Sequence, residues 1–214
     1  MPVGVFTQDD ALDVLSGAQA EGAGLVACGG GGVDRVNRDT APLPDGTDVH
    51  AYLRAGADRL GATLRAADLD AVVWTFRGPR PVRWWLRRQA QETTVHAWDA
   101  VVAAGGSLAI APDVAVDGID ELLDDMAPPA FAAAAFGGAG ETIHLHATDA
   151  TGEWLVTVGP DGYTVGREHA KGDVAARGPA EDLLLALWGR RPLDGLETFG
   201  DAGLLARFRA AIAL

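Results

Sequence analysis

The 214-residue chain has a single cysteine, Cys28. No internal disulfide can form, and a cysteine-based zinc ribbon or iron–sulfur site is excluded. A reducing, cytoplasmic setting is the expectation. Lysine is nearly absent too, with Lys171 standing alone among arginines. Positive charge is short overall: 17 Lys and Arg face 30 Asp and Glu, for a net charge of −13. Phosphate contacts need clustered cations, so nucleic acid is excluded as a general partner. Docking on an anionic membrane surface is excluded for the same reason. Long apolar runs are missing as well. Stretches such as residues 130–136 are far too short to cross a bilayer. The opening MPVGVFTQDD has neither an early positive charge nor an apolar segment, so it does not read as a signal peptide.

The composition that remains is globular. Hydrophobic residues make up 48% and charged residues 22%, which suits a packed core and excludes a disordered chain. The length suits one large domain or two small ones. Abundant Ala and Gly, with Arg in place of Lys, fit a GC-rich bacterial genome.

Residues 9–27 read as a first helix, with Leu12, Leu15, Ala18, Leu25 and Val26 near one stripe. Gly17, Gly22 and Gly24 weaken it by about 1 kcal/mol each relative to Ala. The glycines at 29–32 end it, and residues 33–45 are a polar, proline-bearing loop. A second helix spans about 47–67, with Thr47 or Asp48 as N-cap and Val49, Tyr52, Leu53, Leu60 and Leu64 as its buried stripe. The third, residues 82–104, is followed by Gly105 and Gly106. Another amphipathic helix is expected over 118–126. An Ala/Pro/Gly-rich connector, 128–140, then separates residues 1–127 from 141–214. In the second part the period changes from 3.6 to 2. Residues 142–148, 153–158, 163–167 and 173–177 read as strands and 180–187 and 202–212 as helices. The expected class is α+β: an N-terminal helix bundle, then a small C-terminal α+β domain with an antiparallel sheet.

Chemistry concentrates on the third helix. Trp85, Gln89, Glu92, His96 and Asp99 follow steps of four, three, four and three, which keeps them near one face. Glu92 and His96 are one turn apart, so a carboxylate and an imidazole can converge on one divalent ion such as zinc. The same spacing also occurs on plain solvated helix faces. His144 and His146 alternate onto one strand face, either as an exposed or cleft-facing strand or as a two-histidine metal patch with His169 as a distant third. Cys28 has no cationic neighbour to activate it and reads as inert. The glycines at 29–32 are no phosphate loop, since no Lys-Ser/Thr follows. Trp84, Trp85 and Trp98 read mostly as core, with the wall of a ligand cleft as the alternative for one of them.

The segment WLRRQAQETTVHAWDA, from Trp85 to Ala100, resembles a motif of the mycothiol-dependent maleylpyruvate isomerase-like family, whose N-terminal part is a DinB-type helix bundle. TIHLHATDATGEWLVTV, GDVAARGPAEDLLLALWGRRPL and FGDAGLLARF resemble that family's second domain. The resemblance implies that Glu92 and His96 are metal ligands and that the segment around Arg190 holds a substrate carboxylate. It implies mycothiol as thiol cosubstrate and an isomerase or S-transferase acting on a small electrophile. It departs at the N-terminus. The family has two helices before the segment matching Thr47 onward, the second bearing a further histidine ligand, whereas here there is room for one. Read as the metal-bearing helix, residues 9–27 place Gly17 at the ligand position; read as the first helix, they leave that helix missing. His50, Glu21 and Asp13 are the substitutes, His50 at a position that is not a ligand in the family. Two competing readings follow. One is a metal-free relative that binds or transforms a small molecule in the cleft between its domains. The other is a homodimer that completes the bundle across two chains.

Overall fold

The computed structural model describes residues 46 and 48–213. The expected first helix, the loop before Gly46, Cys28 and the candidate ligands Asp13, Gly17 and Glu21 lie outside them. Packing divides the chain into two compact units between Ala100 and Val101.

The first unit contains helix α1 (Val49–Ala66), short strands β1 (Val72–Val73) and β2 (Arg80–Pro81), and most of helix α2 (Val82–Ala103). Asp48 caps α1, its carboxylate accepting from the Ala51 amide at 3.1 Å. Ala57, Leu60 and Leu64 recur at helical spacing and pack with Val73, Val82, Trp85 and Leu86. Tyr52, expected in that stripe, is exposed. A turn at Gly78 and Pro79 closes a hairpin that short-range patterning does not show, because each strand has only two residues. Phe76, Trp84 and Trp85 meet edge to face behind it, with centroids 5.0–5.7 Å apart.

The second unit begins with α3 (Pro112–Glu121), a π-helical turn (Leu122–Met126) and α4 (Pro128–Ala133). Strands β3 (Thr142–Ala147), β4 (Glu153–Val158) and β5 (Tyr163–Gly166) form a meander, followed by β6 (Val174–Gly178), α5 (Ala180–Leu187), β7 (Glu197–Gly200) and α6 (Ala202–Ala211). The sheet order is β5-β4-β3-β6-β7. One face carries Ile143, Leu145, Trp154 and Val156, all buried. Helix α5 is apolar nearly all round, so it is buried nearly all round, and it packs on β3 and β6.

Four points depart from expectation. The sheet is mixed, because β3 pairs in parallel with β6 while every other pairing is antiparallel. Alternation reveals which face a residue takes but not which strand lies beside it. The edge strand β7 was not anticipated, since none of its residues is buried and it has no apolar alternation. The units divide at Ala100, well before the 128–140 connector. The helix expected at 118–126 in fact starts at Pro112, and with α4 it packs into the second unit. There the Trp154 indole donates to Asp120 of α3 at 2.7 Å, the Tyr163 hydroxyl donates to the Leu123 carbonyl at 2.6 Å, and Phe131 of α4 meets Phe136, Tyr163 and Phe208. Composition marks a flexible-looking stretch, but Phe131 is 2% exposed and anchors it.

Two outcomes follow. Phe131→Ala should destabilise the second unit by about 3–5 kcal/mol, read by hydrogen exchange of the β3 and β4 amides in a urea series. Unchanged protection would return α4 to a linker. Asp173 accepts from the Thr142 amide at 2.8 Å and from its hydroxyl at 2.9 Å, which holds its carboxyl below the usual range. Its contribution to stability is therefore present above the unfolded value, near 3.9, and is lost as pH falls through the lower folded value. Asp173→Asn should flatten the acid limb of the stability profile between about pH 5 and pH 2; equal slopes for both proteins would contradict this.

Candidate functional site

On α2 the expected face forms only in part. Trp85 and Gln89 are buried, Glu92 and Asp99 are half-buried and His96 is exposed. Glu92 is held from both directions. Its Oε2 accepts from Arg88 Nη2 at 2.5 Å, one turn back, and its Oε1 lies 3.3 Å from His96 Nε2, one turn on. The other His96 nitrogen, Nδ1, lies 3.2 Å from Asp99 Oδ2. Arg88 is deeply buried and Glu92 is its charge-assisted partner. The buried Gln89 Oε1 has no hydrogen-bond partner among the described residues. Two donors 3.3 Å apart can share an ion, yet no third histidine or carboxylate joins them in a cation-binding group among the described residues. His50 lies exposed in the first turn of α1.

Arg190 belongs to the second unit, just past α5, where Gly189 turns the chain at φ +74°. Its Nη1 donates to the Trp188 carbonyl at 2.9 Å and its guanidinium lies 5.6 Å from the Trp188 ring centroid.

A second constellation forms on the sheet. His144 and His146 project from the same face of β3 as expected, and Glu153 of β4 is paired in register with His146. Because β6 lies beyond β3, the segment 167–173 has to cross β4 and β3 on leaving β5. Arg167 fixes one end of it, donating to Asp120 and Asp124 at 2.6 Å each, and Asp173 fixes the other on Thr142. At Gly172 a Cβ would come within 2.9 Å of the His144 amide nitrogen, so only glycine lets the chain pass so close to β3. His169 thereby arrives with Nδ1 2.7 Å from Glu153 Oε2, which also lies 3.2 Å from His144 Nε2. Burial pushes the Glu153 carboxyl up, but hydrogen bonds from His169 and His144, with the charge of His169 and His146, outweigh it and hold the group below its usual value. Two hollows flank the cluster. One of about 480 Å³ is lined by His146, Glu153, Arg167 and His169, the other of about 350 Å³ by His144, His169 and Lys171. Sequence spacing shows His144 and His146 together; the approach of Glu153 and His169 depends on strand pairing and on the crossing segment.

A largely helical unit is followed by a mixed-sheet unit. Residues 5–101 match the family model described as the mycothiol maleylpyruvate isomerase N-terminal domain, and residues 113–207 match the MDMPI C-terminal domain. The chain belongs to the mycothiol-dependent maleylpyruvate isomerase family. The crystal structure of the mycothiol-dependent maleylpyruvate isomerase is similar in fold, with a TM-score of 0.53 at 16% identity over 88% of this chain and 76% of that one. A UbiJ-SCP2 ubiquinone synthesis protein matches 47% of this chain and 94% of its own, at 20% identity and a TM-score of 0.38. No curated protein matches the sequence. Among the described residues, no helix is long and apolar enough to cross a membrane.

Whatever Glu92 does chemically, it compensates a buried cation. Glu92→Ala should therefore cost about 2 kcal/mol of stability, measured by urea unfolding. A loss under about 0.5 kcal/mol, the range of ordinary surface substitutions, would show that Arg88 does not depend on it.

Proposed function

We propose that the protein is a thiol-dependent isomerase or S-transferase acting on a small electrophilic substrate that bears a carboxylate, with mycothiol as the thiol. The observation that carries this reading is the ordered match of both units to one family. Addition of a thiolate to an electron-poor double bond, rotation about the resulting single bond and expulsion of the thiolate interconvert cis and trans isomers. Retention of the adduct is S-transfer. In this reading Arg190 holds the substrate carboxylate through paired N–H donors.

Glu92 and His96 are the proposed donors to a divalent ion such as zinc, which when bound lowers the pKa of a coordinated thiol. Among the described residues neither His50 nor any other histidine or carboxylate joins them in a cation-binding group. One observation favours a second, metal-free reading. The Arg88 guanidinium already supplies positive charge against Glu92, and both nitrogens of His96 face carboxylates. Glu92 and Asp99 then orient the exposed imidazole, and His96 exchanges a proton with the substrate.

One assay series separates the two readings. Tag-free protein is given a maleyl-type substrate with and without mycothiol, zinc and chelator. Turnover that needs both thiol and metal, and that falls at least about a hundredfold in His96→Ala, supports the metal-assisted isomerase. Turnover indifferent to chelator and thiol but lost in His96→Ala supports the proton-transfer reading. Activity that survives in both His96→Ala and Glu92→Ala would make the pair structural and defeat both.

A further inference from the structure

We propose that His144, His146, Glu153 and His169 form a tetrahedral site for a zinc-class divalent metal, wholly within the second unit and separate from Glu92 and His96. Each residue offers one ligand atom, and the four atoms lie within 4.8 Å of one another. The Glu153 oxygens are already 2.7, 2.9 and 3.2 Å from the facing nitrogens of His169, His146 and His144. A tetrahedron with metal–ligand bonds of 2.0–2.1 Å has edges of roughly 3.3 Å. Side-chain rotation, chiefly of the exposed His169, is enough to bring the set onto one centre.

The hydrogen bonding itself favours a cation at the centre of the cluster. Glu153 Oε2 serves both His144 and His169. His146 Nδ1 is buried and lies 2.9 Å from Oε1, but out of line for a hydrogen bond, and has no hydrogen-bond partner among the described residues. Three imidazoles converge on one carboxylate, and one of their facing nitrogens makes no hydrogen bond to it. A metal at the centre uses all four at once. Three nitrogens and one oxygen are a borderline donor set, suited to zinc and to cobalt as its spectroscopic stand-in. With every tetrahedral position taken by protein, the site is closed and its role is structural. The metal fastens the 167–173 segment across β4 and β3, midway between its anchors at Arg167 and Asp173.

The test uses the tag-free full-length chain, stripped with chelator and titrated with cobalt or zinc. The expected result is near-stoichiometric cobalt with the intense visible absorption of a tetrahedral centre, and slowed hydrogen exchange across residues 167–173 when zinc is added. Glu92→Gln with His96→Gln should keep that absorption. His146→Gln with His169→Gln should lose it, with affinity falling by at least the roughly 10–100-fold that even an outer-sphere partner commands. His169→Gln alone guards against misfolding. Its side chain is 78% exposed, so the metal-free variant should melt as the metal-free wild type does while binding cobalt more weakly. Absence of a tetrahedral band in the wild type would overturn the assignment. So would unchanged affinity in the His146/His169 variant, or loss of the band in the Glu92/His96 variant alone.

Discussion

The parallel pairing of β3 with β6 is the constraint on which the second unit depends. Antiparallel neighbours can be joined by a tight turn, but a parallel neighbour requires the chain to travel back before it can pair. Here two more strands, β4 and β5, are laid down on the far side of β3 before the return. The chain must then cross both β4 and β3 to reach its place. A crossing segment over a sheet face has backbone groups to satisfy and charges to place. Arg167, Gly172 and Asp173 meet those needs in turn, by an ion pair to α3, a close pass against β3 and a pair of hydrogen bonds to Thr142. His169 is positioned by that geometry.

The two units present different electrostatic problems. On α2 a buried arginine is compensated by a glutamate that also reaches a histidine, so stability and any chemistry share one carboxylate. On the sheet a single glutamate is surrounded by histidines, and the surplus lies in donors rather than in charge. In the first arrangement the charge of Arg88 already offsets that of Glu92. In the second, a cation would meet a carboxylate and three imidazoles converging on one point.

Local pattern made much of this legible. The extent of α1, the length of α2, the meander β3–β5 and the helices α5 and α6 all follow from period and capping within short windows. The pair Glu92 and His96 was legible because a helix fixes the distance between residues four apart. Long-range decisions were not. The parallel partner of β3, the edge strand β7 and the attachment of α3 and α4 to the sheet each depend on residues far apart in sequence, such as Trp154 with Asp120 or Phe131 with Phe208. The histidine cluster stands at the boundary. Its two strand-borne histidines and the more distant His169 were visible in the sequence, while Glu153 of the next strand was not joined to them.

Lys171 gives the crossing segment a practical consequence. It is the chain's only lysine side chain, it is exposed, and it lines the same hollow as His144 and His169. An amine-reactive dye would therefore find one side chain to label, two residues from the imidazole that closes the cluster. The backbone α-amine, which has the lower intrinsic pKa, can be blocked separately at mildly acidic pH. A fluorophore at that position would sense the crossing segment directly, turning an accident of arginine-rich composition into a built-in optical probe of the sheet face.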